Sequence, residues 1–284
     1  MRMNKDMKKM TVAVVQMNSQ EDKAKNIDQA IEYIRRGAAS GAGLVVLPEY
    51  FNFLGETENC IRSAETIPGP TTDRMCDVAR ELDIGVLSGS IPERADASGK
   101  IRNSSIFISH EGDILAKYSK IHLFDIDIPG SVSYLESDYI EAGNDLATFE
   151  WRGIQFGIAI CYDLRFPELF RCLMQKGSEV ILVPAAFTQA TGFYHWQTLV
   201  RARAIENQVF LCAANQWGQH DKWYDTFGHS SIIDPWGETV CEMPEGIGVE
   251  LGEIDMTALY RIRSESPILT HIQPWLYREL SPNT

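Results

Sequence analysis

Three residues able to perform acyl-transfer chemistry each follow an apolar run. Cys161 comes after Gly157-Ile158-Ala159-Ile160, Glu49 after Leu44-Val45-Val46-Leu47-Pro48, and Lys120 after Leu115-Ala116-Lys117-Tyr118-Ser119. A thiol attacks a carbonyl carbon once its proton has a place to go, a carboxylate can receive that proton, and an ammonium can hold the negative charge that develops on the carbonyl oxygen. Cys161 continues into Tyr162-Asp163-Leu164-Arg165-Phe166-Pro167-Glu168, and Pro167 reads as the first turn of a helix. The thiol therefore sits at a strand-to-helix junction, where free backbone N–H groups and positive potential favour thiolate and can bind an oxyanion. Glu49 would take the thiol proton, return it to the leaving group, and later activate water. Working in both directions needs a raised carboxyl pKa, which a buried strand end would provide. Lys120 and the Tyr162 N–H would hold the oxyanion, each such donor being worth about 3 to 4 kcal/mol of barrier.

Other chemistries find less support. A lone cysteine in an apolar run is ordinarily a small core residue, and glutamate or lysine after a strand ordinarily a solvated turn. What sets these apart is their company: Pro48 beside Glu49, Pro167 shortly after Cys161, and Ile121-His122-Leu123-Phe124 after Lys120. His122 could act as a papain-style base, but no orienting aspartate is evident beside it in the sequence. There is no Gly-x-Ser-x-Gly elbow, His-Glu-x-x-His pair or P-loop, and Gly37, Gly41 and Gly43 read as a helix end. No His, Cys, Asp and Glu have metal-ligand spacing, so neither metal nor cofactor is expected. Residues 187–194 read as a loop whose aromatics could line a pocket; Phe187, and Trp196 just beyond it, are the candidates for substrate contact.

Elements that could position these residues recur twice. Residues 11–15 and 44–47 are apolar, and between them 26–40 carries helical spacing in Ile27, Ala30, Ile31, Ile34 and Ala38. Residues 154–160, 167–175 and 180–183 repeat strand, helix and strand, and both second strands finish in proline, Pro48 and Pro184. A helix and strand follow in each half, 71–82 with 84–88 and 196–206 with 209–213. Each half then has a hairpin, from Ser104-Ser105-Ile106 to Gly112 and from Ser230-Ser231-Ile232 to Gly237. Two such copies imply two sheets with helices on one face of each, and strands too continuously apolar to leave the other face wet. The expected fold is α/β, a four-layer α-β-β-α sandwich of two duplicated halves about a pseudo-two-fold axis. With no linker of low complexity, residues 1–284 read as a single domain, its core about 11–254 and a C-terminal extension about 255–284.

Composition limits the partners. The chain has 284 residues, 44 % of them apolar, enough for one large core or two fused ones. No apolar run approaches the roughly 18 residues of a membrane span, and the stretch after the lysine- and methionine-rich start is too short for a signal peptide, so a cytoplasmic protein is expected. The six cysteines include no Cys-x-x-Cys pair and read as free thiols. A net charge of −13 with scattered Lys and Arg argues against nucleic acid as a partner.

The segments Leu47-Pro48-Glu49, Lys120-Ile121-His122 and Ile160-Cys161-Tyr162-Asp163, in that order, resemble the nitrilase (carbon-nitrogen hydrolase) superfamily over residues 11–254. The resemblance implies the same sandwich fold, a Glu49–Lys120–Cys161 catalytic set, at least a homodimer, and a second glutamate, matched by Glu136 in Tyr134-Leu135-Glu136-Ser137, that orients Lys120 and the leaving amine. True nitrilases carry Trp-Glu after the nucleophile; Tyr162-Asp163 here is most similar to the amidase branch. The segment from Lys120 to Gly130 is very similar to that of amidases acting on short 2-oxo dicarboxylic monoamides. Phe187, Gly192, His195-Trp196 and 201–204 are shared with these and with amidases of deaminated glutathione, and residues 219–223 favour neither. The implied reaction is metal-free hydrolysis of a small terminal carboxamide to carboxylate and ammonia through a Cys161 thioester. An N-carbamoyl amide hydrolase and a ligand-binding, non-enzymatic member of the fold are the alternatives. Arg165, Arg201 and Arg203 are candidates to bind a substrate carboxylate.

Overall fold

Alternate residues of the first strand are buried in two different cores, and this divides the molecule into layers. The computed structural model describes residues 9–95, 99–128, 132–220 and 224–277. The first eight residues of the chain, Pro129-Gly130 and the end of the 219–223 segment, all used above, lie outside the described residues. In β1 (Lys9–Gln16), Ala13 and Val15 face α1 (Lys23–Ala39) and α3 (Pro70–Leu82), whereas Val12 and Val14 face a second sheet. A strand's period of two residues produces this split, and only a sheet covered on both faces needs apolar residues at every position. α1 buries Ile27, Ala30, Tyr33, Ile34 and Gly37 on one stripe, and Asp22 caps it by accepting from the Lys25 N–H.

The rest of the first half comprises β2 (Leu44–Val46), α2 (Thr57–Ser63), β3 (Gly85–Leu87), β4 (Ile91–Arg94), β5 (Ile101–Ile108) and β6 (Ile114–Ser119). A hairpin of β7 (Asp125–Ile128) and β8 (Val132–Leu135) leads to the second half. That half contains β9 (Ala147–Trp151), β10 (Ile154–Ile158), α4 (Pro167–Gln175), β11 (Val180–Ala185), α5 (Gln189–Asn207), β12 (Phe210–Asn215), β13 (Trp217–His220), β14 (Tyr224–Phe227), β15 (Ser231–Ile233) and β16 (Thr239–Glu242). β17 (Gly248–Asp255) and α6 (Met256–Glu265) follow.

One sheet runs β17-β1-β2-β3-β5-β4, with β6 also on β5, and the other β16-β15-β12-β11-β10-β9. Each has a parallel trio, β1-β2-β3 or β10-β11-β12, continued by an antiparallel hairpin and closed on the far side by one antiparallel strand. Phe107 of the first sheet packs on Phe149 of the second with ring centroids 4.3 Å apart. The result is the four-layer sandwich expected from the repeat.

Two features depart from the sequence reading. The closing strand of the first sheet is β17, contributed from the far end of the chain and paired with β1 from Lys9↔Asp255 to Gln16↔Gly248. And α5 begins at Gln189, not Trp196, so most of the segment read as a loop is helix. Gly192 permits this, since a Cβ there would stand 2.4 Å from Cβ of Phe227 on β14. Among the described residues, no helix is long and apolar enough to cross a membrane.

Candidate active site

Glu49, Lys120 and Cys161 converge at one end of the sandwich because each lies just past a strand. After β2, Leu47-Pro48 leads to Glu49 and then Tyr50, a non-glycine residue at φ +55°. Gly89 makes this turn possible: its φ is +62°, and a Cβ there would lie 2.1 Å from the Pro48 oxygen. Gln216 Nε2 donates to the Glu49 carbonyl at 2.9 Å, tying the turn to the second half. Lys120 directly follows β6, with its N–H donating to the Asn103 oxygen at 2.9 Å.

Cys161 opens a 3-10 turn, Cys161–Arg165, and adopts φ +45°. The α-helix starts at Pro167, as read from the sequence, so the 3-10 turn from Cys161 to Arg165 forms the junction between strand and helix. Asp163 braces this turn. It is fully buried; its Oδ2 accepts from the Ile160 N–H at 2.8 Å and the Tyr118 hydroxyl at 2.7 Å, and its Oδ1 accepts from the His122 N–H at 3.1 Å. His122 Nδ1 is also 2.7 Å from Oδ1, with the ring stacked on Phe166 at 3.7 Å. His122 thus has the orienting aspartate that the sequence left unseen. Cys161 shares a cavity wall with Glu49, Lys120 and Ala186.

Lys120 Nζ lies between two carboxylates, 3.1 Å from Glu49 Oε1 and 2.9 Å from Glu136 Oε2, and all three side chains are 2 % exposed. Each acid has further donors. Glu49 accepts from Asn103 Nδ2 at 2.7 Å and the Ala186 N–H at 2.8 Å; Glu136 accepts from the Phe124 N–H at 2.6 Å and the Tyr50 hydroxyl at 3.2 Å. Burial opposes the charge on Lys120, but Glu136 and Glu49 outweigh it and hold the pKa well above the usual lysine range. Burial, followed by the Glu49 charge, pushes the Cys161 thiol well above the usual range, against the pull of Lys120. Burial thus favours the neutral thiol, in keeping with the expectation that Glu49 takes its proton.

Above these groups is a cavity of about 350 Å³, whose wall includes Tyr162, Phe187 and Arg165. Trp196 is a correction to the sequence reading. It is fully buried behind Phe187 at a centroid distance of 5.3 Å, its Nε1–H donates to the His229 oxygen at 2.8 Å, and it does not reach the wall. The helical course of α5 turns it inward, while Phe193 and Tyr194 point outward, 70 % and 73 % exposed. Sequence reasoning missed Asn103, the Ala186 N–H and the tyrosines Tyr50, Tyr134 and Tyr139, which face the same centre from other elements and carry no local motif.

A buried thiol, a carboxylate that can take its proton and an ammonium beside that carboxylate form a set suited to acyl transfer. A family model described as carbon-nitrogen hydrolase matches residues 11–264. The omega-amidase NIT2 of Homo sapiens is 36 % identical over 266 residues, covering 94 % of this chain and 96 % of that one. Among solved structures, the NitFhit protein of C. elegans has a TM-score of 0.88 at 33 % identity, covering 95 % of this chain and 66 % of that one. Saccharomyces cerevisiae Nit3, a member of branch 10 of the nitrilase superfamily, has a TM-score of 0.84 at 32 % identity, covering 92 % and 95 %.

Proposed function

This chain belongs to the carbon-nitrogen hydrolase family and is an amidase within it, and from that premise we propose that it is an omega-amidase, hydrolysing the terminal amide of short 2-oxo dicarboxylic monoamides through a Cys161 thioester. Cys161 Sγ attacks the amide carbon while Glu49 takes the thiol proton. The carbonyl oxygen becomes an oxyanion facing Lys120 Nζ and the Tyr162 N–H, which as an early amide of its turn has no partner within that turn. Glu49 then gives the proton to the amide nitrogen, the C–N bond breaks, and ammonia leaves a thioester. A water molecule donates a proton to Glu49 and attacks the thioester carbon; collapse releases the carboxylate, and the proton returns to sulfur. Glu136 positions Lys120 and keeps it charged throughout.

The observation that carries this reading is the buried Glu49 carboxylate, held by Lys120, Asn103 and the Ala186 amide, on the same cavity wall as Cys161. An acid so held moves a proton without changing its own position. The substrate carboxylate is assigned to Arg165. Arg203 is spent on Glu206 and the Leu164 oxygen, both at 2.9 Å, and Arg201 is exposed and donates to Thr239. Arg165 instead lines the cavity, its guanidinium 5.0 Å from the Phe187 ring and 5.5 Å from that of Tyr162. Among the described residues no carboxylate pairs with it. The 36 % identity to human omega-amidase NIT2 favours the same substrate class.

Ammonia release from 2-oxoglutaramate against neutral butyramide tests the reading. A clear preference for the former, abolished by Arg165→Met, is expected; equal rates would leave an amidase but reject the omega-amidase assignment. Carbon dioxide released beside ammonia from an N-carbamoyl amine would identify the alternative chemistry. Each step has its own side chain, so turnover is expected to persist in excess EDTA. The same reading takes the chain as one domain acting in the cytoplasm as a homodimer or higher homo-oligomer, a state measured by light scattering.

A further inference from the structure

The cavity has a second polar wall that the reaction above does not use. Tyr134 and Tyr139 both line it, and their hydroxyls are hydrogen-bonded to each other. Tyr50 lines it too, but its hydroxyl is already donated to Glu136. A bonded pair of phenols has two O–H protons, and only one of them lies between the oxygens. The other has no acceptor among the described residues. Both hydroxyls keep their protons: burial, reinforced by nearby Glu136, raises Tyr134, and burial, then Tyr134 and Glu136, raises Tyr139. Cys60, on the same wall, is pushed up to about 12 chiefly by burial and is likewise neutral.

This wall is linked to the rest of the site through aromatic contacts. Phe124 lies between, its ring centroid 6.0 Å from Tyr134 and 5.1 Å from Tyr162, the ring over which Arg165 is placed. A ligand in the cavity thus meets the amide machinery, Arg165, and a phenolic donor beyond Phe124. An unused donor in a buried site rewards a ligand that brings an acceptor, because a ligand without one leaves the donor desolvated and unpaired.

We propose that the Tyr134–Tyr139 hydroxyl pair selects substrates whose acyl chain carries an oxygen acceptor, a carbonyl or hydroxyl, in addition to the carboxylate and the scissile amide. This rests on the omega-amidase reading and adds to it the residues that distinguish an oxygenated monoamide from a plain one.

The test compares kcat/KM for 2-oxoglutaramate and for glutaramate, its analogue without the 2-oxo group, with 2-hydroxyglutaramate as a third substrate. The wild-type chain is set beside Tyr139→Phe and the double variant Tyr134→Phe with Tyr139→Phe, changes that keep the rings. The ratio of 2-oxoglutaramate to glutaramate is expected to fall about tenfold in the double variant, the worth of one hydrogen bond. The ratio for the hydroxy compound reports whether carbonyl and hydroxyl are both read: a parallel fall means both, and a fall confined to the 2-oxo ratio means carbonyl alone. An unchanged 2-oxo ratio, or an equal loss on all three substrates, overturns the assignment and leaves the omega-amidase reading intact. Wild-type turnover of none of them overturns both.

Discussion

At the level of single residues, the site is a charge sequence, carboxylate–ammonium–carboxylate, buried at the floor of the cavity beside a thiol. Cys161→Ala removes the bond-forming atom and is expected to abolish ammonia release while leaving the far-ultraviolet circular dichroism unchanged. Glu49→Gln keeps the shape but cannot accept a proton, so kcat should fall about 100- to 10,000-fold, as for other lost general bases. Lys120→Ala is different in kind. It leaves Glu49 and Glu136 buried without their shared cation, which should cost about 3 to 5 kcal/mol of stability in urea unfolding as well as the oxyanion support. Alkaline pH tests the same groups. Cys161 and Lys120 both bind their proton more tightly in the folded chain than in the unfolded one. The stability they contribute is therefore full below the ordinary thiol range, about pH 8.5, and is lost as pH rises above it. Unfolding midpoints between pH 7.5 and 10 should decline, less steeply in Cys161→Ala; a flat profile would contradict the buried, protonated thiol.

At the level of elements, the parts that hold the site are short bends stitched together by buried polar side chains. Asp163 joins the nucleophile turn to the segment carrying Lys120 through Tyr118 and His122. Asp163→Asn preserves the volume but weakens four contacts, and should lower kcat more than it raises KM, since misplacing thiol against ammonium affects the transition state most. Gly89→Ala drives a methyl into the Pro48 carbonyl, and a loss of about 1 to 3 kcal/mol in urea unfolding is expected, with a lower kcat as Glu49 shifts. How much of this was legible follows from distance along the chain. The strand ends carrying Glu49, Lys120 and Cys161 could be read because continuous apolar runs, prolines and turn glycines are local signals. The Asp163–His122 contact spans 41 positions and Asn103–Glu49 spans 54, and neither pair carries a mark of its own in the sequence. Arg165 could be separated from Arg201 and Arg203 only once their partners were known. Trp196 looks like Phe187, Phe193 and Tyr194 in sequence, whereas Phe187 precedes the helix on the cavity wall and the helix turns Trp196 inward and Phe193 and Tyr194 outward.

At the level of the whole molecule, duplication explains most of the architecture and one exception to it. Both halves could be recognised from their matching strands, helices and hairpins, yet the antiparallel strands β9 and β17 could not. β17 alternates apolar with charged residues and lies more than 230 positions from its partner β1. A chain ending at Gly246 would lack that strand and expose eight positions of β1, so it is expected to aggregate on refolding, which light scattering would register. The same pairing has a consequence in time. A ribosome delivers β1 first and β17 nearly last, at roughly 5 to 20 residues per second, so for on the order of ten seconds or more the nascent chain carries a bare apolar edge. The step most exposed to crowding among growing chains is therefore not the making of the proposed catalytic residues, all of which have emerged by Ala186, but the wait for the strand that seals the first sheet.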